Sequence, residues 1–305
     1  MTVGTAMSIL KMVNHETKIR VFLRSLFFAR GGEVKENCRI KAVFSDVDGT
    51  LLNSVHRVTP ETGEWIRRLP ELGIPFVIVS ARSPSGIYPI MRRNAFKSAL
   101  IAYSGALIMD ENRNVLYNRQ ISRDYAAEIE RFFINRKYDM SWCIYSVDDW
   151  LSPNRSDPRI AREEQIVEAQ SREGTIADLA PGVGVNKFLC ICAPGTISAI
   201  EEDVRNAFAD AAVVRSSDIL LEIMAKGISK ADALRRFCAH LGILPQDTIA
   251  FGDNYNDVEM LEAAGRGYVM GNAPKEILRR FPFHTADNDH DGIAKALAQI
   301  LPEEV

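Results

Sequence analysis

Four short apolar runs in this chain end on the same kind of residue. Lys41 to Ser45 (KAVFS) runs into Asp46, and Pro75 to Val79 (PFVIV) into Ser80. Ala99 to Tyr103 (ALIAY) runs into Ser104-Gly105, and Thr248 to Phe251 (TIAF) into Gly252-Asp253. Apolar runs of this length with no polar alternation fit strands buried on both faces, as in parallel sheets covered by helices. Helical patterns separate them. Thr59 to Leu72 is opened by Thr59-Pro60 and stopped by Gly73, and Pro84 to Asn94 follows the second run. A β-α-β-α-β succession predicts a parallel sheet with right-handed crossovers. The fold class expected is therefore α/β, with a doubly wound core.

The texture changes between about residues 119 and 225. Helices are expected over Tyr125 to Lys137, Pro158 to Arg172 and Ile197 to Ala209. Strands are expected over Met140 to Val147, Lys187 to Cys192, Ala212 to Arg215 and Ile219 to Met224. That is an α+β unit with enough chain for its own core. The first texture then returns, with helices at Ser229 to Leu241, Asp257 to Ala264, Ala273 to Arg280 and Gly292 to Leu301, and a strand at Gly267 to Met270. The simplest organisation is a doubly wound domain (39–118 and 226–305) with a second domain (119–225) inserted in its middle.

The chemistry concentrates where the runs end. Asp46-Val47-Asp48-Gly49-Thr50-Leu51 places two carboxylates just past the first strand, in the crevice where open α/β sheets bind ligands, with Gly49 for a sharp turn. Two such carboxylates stay ionised only near positive charge, and a hard cation such as Mg2+ suits oxygen ligands. Strand ends in such a sheet point the same way, so Asp253 of Gly252-Asp253-Asn254-Tyr255-Asn256-Asp257 can reach Asp46. Ser80-Ala81-Arg82 offers a hydroxyl and backbone N–H groups to an oxyanion. Lys230 opens the helix that returns from the insert and can neutralise phosphoryl charge. Lys226 is the less suitable lysine because it precedes that helix. Together these groups describe phosphoryl transfer through a covalent intermediate.

These four pieces, in this order, resemble the haloacid dehalogenase superfamily of phosphatases. The Cof-type branch, with a C2B cap inserted after the third core strand, is the most similar. The resemblance spans about residues 39–305, including Asp287 to Gly292 (DNDHDG). It implies a Rossmann-like core, the insert as cap, and Mg2+-dependent hydrolysis of a small phosphorylated metabolite. Sugar phosphates, pyridoxal phosphate, flavin mononucleotide and nucleotides are the substrate classes it implies. It implies Asp46 as the nucleophile that becomes an aspartyl phosphate, and Asp48 as the residue that protonates the leaving alcohol and then activates water. Asp46, the main-chain carbonyl of Asp48 and Asp253 would hold Mg2+. Ser80, the amide of Ala81 and Lys230 would bind the phosphoryl group, with Asn256 in support. Asp257 would orient Lys230 or a metal-bound water, and Thr50 and Arg82 are placed as supporting residues. Arg82 reads equally as a substrate contact or as half of a surface ion pair. Asp48 excludes the superfamily's dehalogenases, which lack a second Asp. The absence of Lys-Thr and of long apolar spans excludes its P-type ATPases. A phosphomutase of the phosphomannomutase type is the alternative enzyme, and a phosphometabolite-binding module the non-enzymatic one.

Composition closes off other classes. Lys plus Arg is 37 and Asp plus Glu 40, a net charge of -3, so nucleic acid is not an expected partner. Five scattered cysteines suggest a reducing compartment and a cytoplasmic protein, monomeric or homodimeric. Cys190 and Cys192 read as small core side chains, Trp142 and Trp150 as core rather than substrate-facing, and none of the five His sits in metal-ligand spacing. No run reaches the roughly 18 apolar residues of a membrane span. Residues 1–38 form a basic extension. Ile19, Phe22, Leu23 and Leu26 fall on one helical stripe, with Arg20 and Arg24 off it. A basic amphipathic helix can lie on a membrane surface or dock on a partner, but the segment reads rather as a short extension helix, a disordered stretch, or translated sequence before an internal start at Met7 or Met12. Arginines break its apolar run, so no secretory signal is expected.

Overall fold

A computed structural model describes residues 40–301. The basic stretch with its Ile19 stripe, and Cys38, lie outside the described residues. β1 (Ala42–Ser45) is buried at every position. Its side chains alternate between two apolar clusters. Val43 lies in one with Ile66, Ile87 and Leu297, while Ala42 and Phe44 lie in the other with Leu234, Phe237 and Leu261. Both faces are covered, which is why a run without a polar position folds as a central strand.

The chain continues through α1 (Pro60–Arg68), β2 (Phe76–Val79), α2 (Pro84–Arg93), β3 (Ala99–Ala102), β4 (Leu107–Met109) and β5 (Val115–Asn118). Next come α3 (Arg123–Arg136), β6 (Met140–Ser146), β7 (Asp149–Ser152), α4 (Pro158–Val167), β8 (Arg172–Glu173) and β9 (Lys187–Cys192). Then come α5 (Ile197–Ala207), β10 (Ala211–Arg215), β11 (Leu220–Ala225), α6 (Lys230–Leu241), β12 (Thr248–Gly252) and α7 (Val258–Ala263). The last are β13 (Arg266–Val269), α8 (Lys275–Leu278), β14 (Phe283–His284) and α9 (Gly292–Ile300).

Two sheets result. The first has eight strands in the order β14-β13-β12-β1-β2-β3-β4-β5. From β14 to β3 the neighbours are parallel, and β4 and β5 add an antiparallel edge. This is the expected doubly wound α/β core. The edge hairpin is not apparent from periodicity, because β4 has only three residues and β5 is exposed or half-buried throughout.

The second sheet has six strands in the order β10-β11-β9-β6-β7-β8 and forms the cap. One face carries Ile144, Phe188, Cys190, Cys192 and Ile223 against Phe133 and Val204 of its own helices. Cys190 and Cys192 are thus core side chains. The other face places Cys143, Tyr145, Trp150, Leu189 and Ile191 in the same apolar cluster as Tyr88 and Tyr103 of the first unit. Trp150 is buried there, and Trp142 packs on Phe133 with ring centroids 5.5 Å apart. Among the described residues no helix is long and apolar enough to cross a membrane.

Three helices are shorter than their patterns. The Thr59–Leu72 pattern yields α1 to Arg68 and then a tighter 3-10 turn over Leu69–Leu72, where Pro70 has no N–H to give the helical ladder. The Pro158–Arg172 pattern stops at Val167. Glu168 turns left-handed (φ 54°), and Arg172 leaves to form β8 and a two-bond pair with Asp149 at 2.8 and 2.6 Å. The Ala273–Arg280 pattern holds as helix only over α8, because Pro274 caps its start.

Past β3 the backbone does something costly. Tyr103, Ser104 and Gly105 take φ of 51°, 56° and 112° in succession. Side chains disfavour that region, and such strain persists only where surroundings hold it. Here Tyr103 N donates to Arg82 O at 3.1 Å and Ser104 N to Ser80 O at 2.9 Å. A Cβ on Gly105 would stand 2.5 Å from the Ser229 carbonyl. The turn therefore wedges the loop after β2 against the start of α6. Gly105→Ala should lose about 1–3 kcal/mol of stability in urea denaturation, and an unchanged midpoint would show that the wedge carries no strain.

Candidate active site

β1 delivers Asp46 to the edge where its neighbours also end, and the Asp46 N–H donates to Phe251 O of β12 at 3.0 Å. The chain then folds back on itself, with Leu51 N on Asp46 O at 3.2 Å and Leu52 N on Val47 O at 2.9 Å. Gly49 sits at φ 81°, and a Cβ there would lie 2.5 Å from Asp253 Oδ2. Glycine thus lets the turn press against a carboxylate that arrives from β12. Thr50 Oγ1 donates to the other oxygen, Asp253 Oδ1, at 2.7 Å.

Lys230 is the first residue of α6, and Ser229 caps that helix by accepting from Asp232 N at 3.1 Å. Its ammonium is buried and lies 2.5 Å from Asp46 Oδ1 and 2.6 Å from Asp257 Oδ1. The other Asp257 oxygen accepts from the N–H groups of Asp253 at 3.0 Å and Asn254 at 3.1 Å. Asp257 is thus a strut between the lysine and the turn after β12, besides ending the 3-10 turn that leads into α7. Lys226 is exposed and takes no part.

Three buried carboxylates therefore share one ammonium. Burial raises the Asp46 pKa, Asp257 adds to the effect, and Lys230 opposes it. Burial pushes Asp253 up to about 6 despite its bond from Thr50. Burial disfavours the Lys230 ammonium, but Asp46 and Asp257 outweigh it and hold its pKa above the ordinary lysine value. One oxygen from each of Asp46, Asp253 and Asp257 lies within 4.8 Å of the others. An all-oxygen donor set short of positive charge fits a hard divalent cation.

Asp48 stands apart from this group. Its side chain is 52% exposed and meets Arg82 in a two-bond pair, Nε to Oδ2 at 2.9 Å and a terminal nitrogen to Oδ1 at 2.6 Å. Arg82 is therefore an ion-pair partner, and the pair outweighs burial to raise its pKa. Ser80 is buried, and its Oγ accepts from Arg82 N at 3.1 Å. Ala81 O accepts from Lys187 Nζ of the cap at 3.0 Å. Asn256 is exposed on the wall of a cleft of about 520 Å3, which Lys230, Ser104 and Tyr255 line together with Arg215, Glu222 and Met224 of the cap.

Several participants have no role in the sequence reading, although the DNDHDG segment is part of the resemblance. Asn272 Nδ2 donates to Gly49 O at 2.9 Å and reaches Asp253 Oδ2 at 3.4 Å. It follows the end of β13, the same polar-after-strand signal that marks Asp46. Asn288 N donates to Asn272 Oδ1 at 3.2 Å, and Asn288 Nδ2 to Leu52 O at 2.9 Å. Asp289 Oδ1 accepts from Ser54 N at 2.8 Å. The DNDHDG segment thus staples the loop that carries Asp46 and Asp48. Lys187 opens β9 and Glu222 stands inside apolar β11, a charge in an apolar run that could have been noticed, but their meeting depends on cap pairing.

Known proteins share this chain's sequence pattern and fold. A family profile described as haloacid dehalogenase-like hydrolase matches residues 43–297. A phosphatase-named protein of Haemophilus influenzae is 35% identical over 264 residues, 86% of this chain and 99% of that one. An HMP-PP phosphatase of Yersinia pseudotuberculosis is 28% identical, covering 78% of this chain and 86% of its own. Among solved structures, a haloacid dehalogenase-like hydrolase from Bacteroides thetaiotaomicron superposes with a TM-score of 0.79. It is 27% identical and covers 86% of this chain and all of its own.

The Asp253 shift has a sign that can be tested. Its folded pKa of about 6 lies above the ordinary 3.8, so in the metal-free chain its contribution to stability is fully present below about pH 4 and lost as pH rises through 6. Cation binding needs the ionised form and so strengthens over the same range. Mg2+ should raise the thermal midpoint more at pH 7.5 than at pH 5; an equal rise at both would contradict the assignment.

Proposed function

We propose a mechanism on one premise: the chain belongs to the haloacid dehalogenase-like hydrolase family, and it is a phosphatase. The reaction is hydrolysis of a small phosphorylated metabolite through an aspartyl phosphate. The observation that carries this reading is the Lys230 ammonium bound to Asp46 at 2.5 Å and braced by Asp257 at 2.6 Å. It fixes one oxygen of a buried carboxylate at a strand end and sets positive charge where a phosphoryl group would sit.

Asp46 attacks phosphorus, and the bond from phosphorus to the leaving oxygen breaks as the new one forms. The leaving alkoxide takes a proton from the Asp48 carboxyl. Asp48, now a carboxylate, takes a proton from the water that attacks the aspartyl phosphate, which frees inorganic phosphate and restores Asp46. Asp48 holds Arg82 through two hydrogen bonds at 2.9 and 2.6 Å, so proton donation requires its carboxyl to leave Arg82 and turn toward the leaving oxygen. Ser80 Oγ, the Ala81 amide and Lys230 bind the phosphoryl oxygens, with Asn256 at the cleft wall in support. Asp46, Asp253 and the Asp48 carbonyl would hold Mg2+, which supplies further charge neutralisation when bound.

The leaving group, of sugar phosphate, pyridoxal phosphate, flavin mononucleotide or nucleotide class, is assigned to the cleft of about 520 Å3 beside Lys230. Phosphate-monoester hydrolysis is among the slowest reactions in water, so positioning and charge must supply most of the acceleration. The test is phosphate release from a broad panel of phosphorylated metabolites, with and without Mg2+. The intact protein should turn over only with the metal, and Asp46→Asn should be inactive. Asp48→Asn should lose about 10²–10⁴-fold in kcat. Turnover by Asp46→Asn at the wild-type rate would sink the covalent mechanism, and activity that depends on an added sugar bisphosphate would point to a mutase.

A further inference from the structure

Three successive carbonyls in the loop after β2 each accept a hydrogen bond, and the donors come from two sides. Ser104 N reaches Ser80 O at 2.9 Å, and Tyr103 N reaches Arg82 O at 3.1 Å; both donors are backbone of the core. The middle carbonyl, Ala81 O, takes its 3.0 Å bond from Lys187 Nζ on β9 of the cap. The Ala81–Arg82 peptide is therefore held at its N–H by Ser80 Oγ at 3.1 Å and at its C=O by the cap. Without the cap, the central peptide of the loop keeps only one of its two anchors.

Lys187 is an expensive choice for that place. It is 6% exposed, with Glu222 Oε1 of β11 at 3.5 Å as its carboxylate partner. Its ammonium lies 5.9 Å from the Tyr103 ring centroid and 5.4 Å from that of Tyr145. Burying an ammonium and a carboxylate carries a desolvation cost that a neutral side chain of the same length would avoid. The apolar slot between two tyrosines needs only bulk. What the lysine adds is a charged donor aimed at one backbone carbonyl, next to the amide assigned to the phosphoryl group.

We propose that Lys187, held by Glu222, is a positioning residue through which seating of the cap completes the phosphoryl-binding loop at Ser80–Arg82. The inference rests on the phosphatase reading for its consequence in turnover, but its structural part stands alone. Cap seating and loop geometry are then one equilibrium, and the loop reaches its working shape only under the cap.

The experiment compares the full chain with Lys187→Met, which keeps the length and removes the charge, and with Lys187→Arg, which restores a donor. Hydrogen exchange is read at the amides of residues 80–82. A charge-assisted bond of ordinary strength predicts about tenfold faster exchange there in Lys187→Met, near-normal exchange in Lys187→Arg, and unchanged exchange in the cap strands. Equal protection of the loop in all three proteins overturns the proposal. In steady-state kinetics, Lys187→Met should lower kcat by a similar factor for an aryl phosphate and for the best metabolite, with KM little changed. A rise in KM confined to the metabolite would instead make Lys187 a leaving-group contact and overturn the positioning role. Should Lys187→Met not fold, Glu222→Gln, which loosens the lysine without removing it, is expected to raise loop exchange to a smaller degree, and no rise refutes the proposal. A wild-type chain that releases no phosphate would defeat the phosphatase reading, while the exchange comparison would still decide the loop.

Discussion

A single ammonium group organises the centre of this molecule. Lys230 enters a pocket with buried carboxylates around it, at 2.5 Å from Asp46 and 2.6 Å from Asp257. Removing one partner from a buried charged cluster leaves the rest uncompensated, which costs more than the cluster contributes when intact. The surrounding chain is arranged to keep that cluster whole. Ser229 caps the helix that presents the lysine, Asp257 ties it to the turn after β12, and Gly49 gives up a side chain so that Asp253 can come close. The residual negative charge suits the site to a cation, which a plain structural ion pair would not.

Much of this was legible from residue order. Asp46, Ser80 and Asp253 each end an apolar run, and a parallel sheet brings such ends to one edge without further information. Lys230 could be chosen over Lys226 because it begins a helix. The parts that stayed hidden depend on long-range geometry. Nothing local in Ala81-Arg82 says that Arg82 will close on Asp48 or that a lysine more than a hundred residues later will grip the Ala81 carbonyl. The β4–β5 hairpin was missed because three residues are too few to show a period. The overlong helix after Pro158 was misread because its polar pattern continues past Glu168, whereas Ser171 and Arg172 are drawn away by Glu164 and Asp149.

Both faces of the cap sheet feed apolar clusters, although its edge strands keep exposed residues. One side covers its own helices, and the other shares an apolar cluster with the core through Tyr145, Trp150 and Leu189. Polar contacts then set the alignment across the seam. Tyr88 Oη meets Asp148 Oδ2 at 2.9 Å, and Tyr103 Oη meets Val147 O at 2.8 Å. Apolar area supplies most of the adhesion, and the few hydrogen bonds choose the register in which a ligand would be enclosed.

The staple made by Asn288 and Asp289 bears on how the protein is born. The turn that carries Asp46 and Asp48 is synthesised early, yet its lysine lies 184 residues downstream and its backbone fasteners at Leu52 and Ser54 lie more than 230 residues downstream. Throughout most of translation the acidic turn has neither its counter-charge nor its fasteners. The nascent core can pair its early strands, but the site itself closes only after almost all of the chain has left the ribosome. The acidic turn therefore gains its counter-charge and its fasteners only from segments made long after it.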